Sequence, residues 1–495
     1  MDYLLPAWHK QLDDWAYSVP QIDFDDVISH FQLFKTSGRK VGIVITDYLP
    51  QLATQLSQVA VYPDQLFSVF DYLQGITTTD MRSLDYRDFS WPSDAYYNFT
   101  NFKIIVMVRK QPYAKIIFDN QGRILKVIYL DSQGKIDYQL VIDSRGFVSS
   151  KIQGNIITYF DNSGCWRFRH NQETDQVVVN TEIPSFTEKI EYDHINDLLQ
   201  EAVDRHFLSN LNESDSLIVT LDDQATVSID NNLITTYSIS RWHPYQQVLS
   251  QTKDNQAVVE SEKELTNIKP QLADSVQLTV IPLFQSYFKL GHSQRTQQQI
   301  IAIFAENMNY DELSMMVKMI YSRLIADPEK NGLYLYTYSL KKSQMVEQII
   351  SDLQSEHSGE FILSTEAEKI TADVLEDEPK LPVLTILSER LTSVADALEA
   401  FDKIRLLIDF GKPDQFIKMI AVSVGIPQLV NIDSEEIADY QNGIICHSEK
   451  EIEKGIAFFL DNLAKWNNAL VYNVKMLNRY SSDNLLSLWK QVLKE

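Results

Sequence analysis

IRLLIDFGKPDQFIKMIAVSVGIPQLV, residues 404–430, decides the fold. Ile404 to Phe410 is apolar enough for a buried strand, and Gly411 breaks the run. Pro413 is predicted to open a helix, because the N–H that proline lacks would have no intrahelical partner in a first turn. Apolar residues at 416, 417, 419, 420, 422 and 424 leave that helix nearly all-buried. Gly425-Ile426-Pro427 then turns the chain into a second short strand, Gln428 to Val430. Strand, helix and strand in that order imply parallel pairing and a right-handed crossover.

The stretch resembles the donor-nucleotide half of the GT-B glycosyltransferases. In those enzymes a strand leads to a helix with two glutamates eight positions apart, followed by a Gly-Leu-Pro turn. Placing that turn on Gly425-Ile426-Pro427 puts the two acidic positions at Lys412 and Ile420. The resemblance implies that glutamates there would accept hydrogen bonds from donor-sugar and ribose hydroxyls. Lysine cannot accept one, and isoleucine can neither accept nor donate. Asn442-Gly443 also matches the Asn-Gly downstream of the GT-B helix, although Asn-Gly marks any tight turn. The frame is kept while the donor-binding chemistry is lost.

A chain of 495 residues exceeds one hydrophobic core and should divide into two or three domains. Apolar residues make up 44%, as in ordinary globular proteins. The net charge of −24 argues against nucleic acid or an anionic bilayer as a direct partner, and is otherwise a solvated acidic surface. Cys165 and Cys446, far apart in sequence, support neither a disulfide framework nor a zinc site. MDYLLPAWHKQLDDW has acids and a proline where a signal peptide needs a long apolar core, and no apolar run approaches a membrane span. A cytoplasmic location is expected.

The first ninety residues alternate strand and helix, as a doubly wound domain begins. Phe24-Asp25-Asp26 is expected to open a helix that Gly38 stops. Val41 to Thr46 is a strand, Pro50 starts a second helix, and Val61 to Leu73 repeats the rhythm. Near Asn101 the pattern changes to FKIIVMVR, RILKVIYL and DYQLVI, separated by DNQG (119–122), DSQG (131–134) and DSRG (143–146), with DNSG at 161–164. Asp and Asn tolerate turn geometry and Gly supplies positive φ, so these are hairpin turns of an antiparallel meander. Helix returns at Ile195 to Phe207 and strand at Ser216 to Leu221. Second-domain strands are expected near 277–283, 333–339, 361–364, 383–388 and 404–410. Ser448 and Glu451 read as a capping box, and the last helix covers about 482–494. The fold class is therefore α/β, a GT-B-like pair of Rossmann-type domains with an inserted antiparallel β-sheet domain. The expected boundaries are 1–98 and 186–270 for the first domain, 99–185 for the insertion, 271–475 for the second domain, and 476–495 for a terminal helix. In GT-B proteins that helix crosses back onto the first domain, which is what the resemblance implies here.

Much chemistry is missing. The fifteen glycines are at least four residues apart, so no GxG exists, and there is no Walker A motif. Asp409-Phe410-Gly411 imitates a kinase triplet without the HRD segment and glycine-rich loop that would give it meaning. The nine histidines form no HxH, HxxH or HExxH, so a metal site would need scattered ligands, and no metal or cofactor is expected. His206 and His447 read as surface or cap histidines, and no GxSxG elbow is present. Two basic groups remain as possible anion or glycan contacts. Arg295 precedes a helix-like run, Thr296 to Ala305, and Lys412 stands at a helix start, where phosphate often binds.

Over its whole length the chain resembles the first accessory secretory protein subunit of the accessory Sec system of Gram-positive cocci. The residues that carry the likeness are Pro6-Ala7-Trp8, Phe24-Asp25-Asp26, Ser68-Val69-Phe70-Asp71 with Gln74-Gly75, and Arg145-Gly146-Phe147-Val148-Ser149-Ser150. The resemblance implies a non-enzymatic subunit that joins the other two accessory secretory proteins and a dedicated SecA ATPase. It also implies a role in exporting glycosylated serine-rich repeat adhesin preproteins, with peripheral recruitment to the membrane through those partners. Fold alone does not choose between this and two alternatives, an active glycosyltransferase using other residues or a partner that stabilises a catalytic one. The acidic balance generates one expectation directly: purified protein should not float with anionic liposomes at low or moderate salt. Salt-sensitive flotation would reveal a basic patch hidden in the acidic total.

Overall fold

Strand pairing sorts the chain into three sheets. The computed structural model describes residues 1–9, 25–100, 103–119, 121–229, 235–240, 243–252, 255–365, 381–412 and 414–493. Phe24 and Pro413, to which the sequence assigned helix starts, lie outside them. Two compact units result: Met1–Ile281 with Val492–Glu495, and Pro282–Gln491.

The first unit contains a parallel sheet of β1 (Asp2–Leu5), β2 (Val41–Ile45) and β3 (Gln65–Ser68), joined by β14 (Ser216–Thr220), β15 (Thr235–Ile239), β16 (Gln256–Val259) and β17 (Gln277–Val280). The order is β17-β16-β15-β14-β1-β2-β3. The direction of winding therefore reverses between β1 and β14, and the loops leaving those two strands diverge. Asp25 caps the Asp26–Thr36 helix by accepting from Val27 N at 2.9 Å, and Gly38 follows at φ +81°. The strand expected to begin the second domain near 277–283 belongs here instead, with Ala257 paired to Leu278 in parallel. It follows a helix as one more strand–helix–strand step, and a short edge strand carries no pattern that says which sheet it joins.

Between β3 and β14 the chain makes a ten-stranded antiparallel meander, from β4 (Tyr96–Phe99) through β13 (Glu191–Tyr192). Three of its hairpin turns repeat one device. Asp119 Oδ1 accepts from Gln121 N and Arg123 N, both at 2.8 Å; Asp131 does the same for Gln133 and Lys135, and Asp161 for Ser163 and Cys165. Gly122, Gly134 and Gly164 take φ of +80°, +78° and +88°, which an L side chain resists. The ladder slips by one residue beside each turn, the bulge that such loops require.

The turn at Asp143 does something else. Asp143 is buried and accepts from Arg145 Nε at 2.8 Å, and the Arg145 guanidinium then forks onto Asp71 with two further bonds of 2.8 Å. Nearby, Gln74 Nε2 donates to Ser149 O at 2.9 Å and Phe160 O at 2.6 Å, and Tyr48 OH reaches the hydroxyls of Ser149 and Ser150. Asp71, Gln74, Arg145, Ser149 and Ser150 all come from the segments that carry the family resemblance. They join the meander to the parallel sheet.

The second unit is another parallel sheet: β18 (Gln299–Phe304), β19 (Asn331–Thr337), β20 (Ile362–Leu363), β21 (Val383–Arg390), β22 (Ile404–Asp409), β23 (Gln428–Val430) and β24 (Gly443–Ile445). Its order, β20-β21-β19-β18-β22-β23-β24, reverses between β18 and β22. The helix-like run at Thr296 to Ala305 is thus the central strand. QIIAIF is too short and too evenly apolar for periodicity to separate strand from helix, and its β-branched residues favour the strand. The capping box expected at Ser448 does not form: the Ser448 side chain makes no capping bond, and Glu451 reaches past the N-cap to accept from His447 N at 2.6 Å. The chain ends in two helices, Leu463–Arg479 and Ser482–Val492, and the first had no counterpart in the sequence reading.

Arg145→Met would leave the Asp143 carboxylate buried without its partner and break the fork to Asp71. Breaking such a pair from one side costs about 3 kcal/mol or more. The expected result is a lower denaturation midpoint for the first unit, partly recovered in the double variant with Asp143→Asn. An unchanged midpoint would show that the joint adds no stability.

Candidate functional site

In a doubly wound sheet the ligand seat is the crevice beyond the carboxyl ends of the strands, where the order reverses. In the second unit that seat lies after β18 and β22, and the chain's own atoms bridge it. Asn307 Nδ2 donates to Lys412 O at 2.7 Å. Gly411, at φ +93°, sits so close that a Cβ there would lie 2.3 Å from Asn307 O. Gly411 N also donates to Asn431 Oδ1 at 3.2 Å, which draws in the loop after β23.

The helix behind this clasp starts at Gln415, not at Lys412. Its N-cap is Asp414, almost fully buried, whose Oδ1 accepts from Ile417 N at 2.9 Å while Asp414 N donates to Asp409 Oδ2 at 3.3 Å. Burial holds the Asp414 carboxyl up at about 6. Tyr338 is pushed far above the usual phenol range by burial first and then by Asp414, Asp409 and Glu306. A diphosphate would therefore meet a helix terminus already capped by a carboxylate, with two more acids beside it.

The other donor-cleft positions are packing positions. Ile420 is fully buried within a helix whose ten residues are all buried, Lys418 among them with Nζ on Ser434 Oγ at 2.9 Å. Gly425 is the left-handed C-cap at φ +83°, and a Cβ would come within 2.2 Å of Leu470. Pro427 leads into β23, and its carbonyl accepts from Leu407 N at 3.1 Å. Asn442, fully buried, donates to Glu436 O and Asn473 Oδ1, both at 2.8 Å, and accepts from Ala438 N. Gly443 is flush against Gln428 O, 2.6 Å from where its Cβ would be. Lys412 is exposed in the turn before the helix. Arg295 is exposed in the turn Ser293–Arg295, which Arg405 holds at the start of β22 through a 2.6 Å bond to Ser293 O. Lys412 follows the other end of the same strand, roughly 20 Å away at 3.3 Å per residue. The structure does not bring these two cations to one anion.

The first unit holds a cluster that the sequence reading missed. Loops at the carboxyl ends of β1, β2, β14 and β15 supply His9, Asp47, Asp222 and His243, and the start of the first helix adds Asp25 and Asp26. His9 Nδ1 lies 3.0 Å from Asp47 and its Nε2 3.4 Å from Asp222. His243 Nδ1 is 3.2 Å from Asp222, and its Nε2 faces Asp25 at 3.8 Å and Asp26 at 3.9 Å. Burial alone would push both imidazoles down. Asp222 and Asp47 outweigh it at His9, which is held up at about 9, and Asp222 with Asp26 does so at His243, at about 10. Against its own burial, Asp222 is held well below the carboxylate range by the two histidines. Asp25 is pushed up by burial and by the charge of Asp26. Beside His9 and Asp222 is a cavity of about 20 Å³, lined also by Leu5, Thr46 and Val219. That is room for a water or an ion rather than a nucleotide sugar. Asp25 and Asp26 stood out in the sequence only as a helix start. The remaining signal, an acid or imidazole just after a parallel strand, is visible once the strands are placed.

Two units, each built on a parallel sheet that reverses at a central strand pair, mark the GT-B class, here with a meander inserted in the first. A chain of the pneumococcal O-GlcNAc transferase GtfA in complex with UDP and GlcNAc superposes with a TM-score of 0.68 at 12% identity, covering 100% of this chain and 98% of that one. A chain of the crystal structure of accessory secretory protein 1, 2 and 3 in Streptococcus pneumoniae superposes with a TM-score of 0.78 at 20% identity, covering 100% and 99%. The Accessory Sec system protein of Streptococcus gordonii that is first in that series is 25% identical over 533 residues, 100% of this chain and 99% of its own length. The model of this Accessory Sec system protein family matches residues 5–495, and the chain belongs to the family.

The raised imidazoles make stability depend on pH with a definite sign. Each is charged more readily in the folded protein than at its unfolded value of about 6.5. Its contribution is complete below that value and is lost as pH rises through the folded values near 9 and 10. Thermal melting should therefore shift to lower temperature from about pH 6.5 to 10, and His9→Gln should reduce the slope. A melting temperature flat over that range would mean the imidazoles are not held charged.

Proposed function

We propose that this accessory Sec system subunit is a non-catalytic member of the export complex. It joins the other two accessory secretory proteins and helps bind glycosylated serine-rich repeat adhesins and deliver them to a dedicated SecA motor. The observation that carries the non-catalytic reading is the clasp of Asn307 on Lys412 with Gly411 beneath it, at the point where a donor nucleotide would sit. The missing carboxylates at Lys412 and Ile420 support it. Two lost hydrogen bonds to a charged acceptor, each about 1.5–3 kcal/mol, would weaken a donor by roughly two to four orders of magnitude. The partner assignment is supported by family membership and by the relative crystallised with accessory secretory proteins 2 and 3.

No helix among the described residues is long and apolar enough to cross a membrane. Recruitment to the cytoplasmic face would then run through protein contacts rather than lipid. Two measurements test the proposal together. Calorimetric titration of the full chain with UDP-GlcNAc should give no heat, and affinity purification from a native lysate should recover the two other accessory proteins with the SecA motor. Micromolar donor binding with turnover would make the chain an enzyme. Recovery of a glycosyltransferase in place of the motor would make it a stabilising partner.

A further inference from the structure

We infer that Asp25, Asp26 and His243 form a binding site for one divalent cation of the zinc class. Each offers one ligand atom, and these atoms lie within 4.8 Å of one another. His243 is oriented for the role. Its Nδ1 is held 3.2 Å from Asp222 Oδ2, which keeps one ring proton on that side; the ion would displace the other proton from Nε2, whose lone pair then faces the two carboxylates. A ligating histidine whose other nitrogen is fixed on a carboxylate is the usual supporting arrangement at zinc. The separations from Nε2 to Asp25 Oδ2 and Asp26 Oδ1, 3.8 and 3.9 Å, are too long for hydrogen bonds. They are close to the spacing of two ligands on one ion: bonds of 2.0–2.1 Å at a tetrahedral angle place ligand atoms about 3.4 Å apart.

A second observation points to the same place. Asp26 is 3% exposed; its Oδ1 accepts from Val27 N at 3.0 Å, and its Oδ2 is buried with no hydrogen-bond partner. A bare carboxylate oxygen shut away from water is costly, and a cation answers it more fully than a neutral donor would. Asp25 divides its labour: Oδ1 accepts from Val27 N to cap the helix, while Oδ2 is the atom turned to His243. Among the described residues the cluster brings four carboxyl groups, Asp25, Asp26, Asp47 and Asp222, around two imidazoles, a setting rich in oxygen ligands for a dication. One imidazole with two carboxylates is a donor set for zinc or manganese rather than for thiolate-seeking ions. The ion would tie the entry of the first helix to the loop after β15.

The test is calorimetric titration of the chelator-stripped full chain with zinc chloride, with circular dichroism to check folding of each variant. One zinc per chain is expected. His243→Gln and Asp26→Asn should weaken binding at least tenfold. Asp222→Asn, which only releases the ring from its support, should weaken it about 10- to 100-fold. His194→Ala is the control, because His170 and His194 share Asp175 in a separate, more exposed group that could take zinc adventitiously. Absence of binding at millimolar zinc would overturn the inference. So would binding that survives His243→Gln and is lost in His194→Ala. Should His243→Gln fail to fold, anomalous scattering at the zinc edge from crystals of the unaltered protein decides the matter. A peak among Asp25, Asp26 and His243 supports the site, and none there refutes it.

Discussion

A single side-chain amide ties together the two loops at the centre of the second unit. Asn307 leaves the end of β18, the Lys412 carbonyl follows β22, and the 2.7 Å bond between them spans the reversal of strand order, where loops of opposite handedness ordinarily part. The bond is possible only because residue 411 has no side chain, since any Cβ would enter the Asn307 carbonyl. With the loops drawn together, the helix beyond them begins three residues later than the resemblance implied. Its terminus is capped by Asp414, and Ile420 turns fully inward. The packing of Gly425, Asn442 and Gly443 behind the helix is then ordinary structural duty. The parallel sheet is a scaffold whose two central loops are tied together.

The outline of this scaffold was legible in the sequence for physical reasons. The Asp-x-x-Gly turns announced the meander because each needs an acceptor at its first position and positive φ at its last, and few residues meet both requirements. Ile404 to Val430 announced a parallel unit because burial on both faces leaves an unbroken apolar strand and helix. Residues 299–304 and 277–280 went astray because short apolar segments carry no period, and because an edge strand's sheet is chosen by tertiary pairing. Lys412 was placed on the helix by counting back from the glycine turn, and Arg295 was set before a helix that is a strand. Counting cannot reveal that the two cations sit at opposite ends of β22. His9, Asp222 and His243 were illegible for a different reason: three loops from three strands bring them together, and no local spacing records it.

The segments that carry the family likeness converge on two places. Asp71, Gln74, Arg145, Ser149 and Ser150 form the joint between meander and parallel sheet. Asp25 and Asp26 face His243, next to the loop in which Trp8 and His9 follow Pro6-Ala7. Neither place is the crevice beyond β18 and β22.

The insertion also dictates an order of events during synthesis. β1 has β14 as one neighbour, and the Asp2–Ser216 contact joins residues 214 apart in sequence, with the whole meander between them. The central pair of the first sheet cannot exist until that length has left the ribosome, whereas each hairpin of the meander needs only its adjacent strand. Long-range closure is slow and local closure fast. The nascent chain thus carries β1 and β2, nearly wholly apolar, through a long interval without their partner strand, while a formed antiparallel sheet grows beside them. That interval is when edge pairing with another chain is most dangerous.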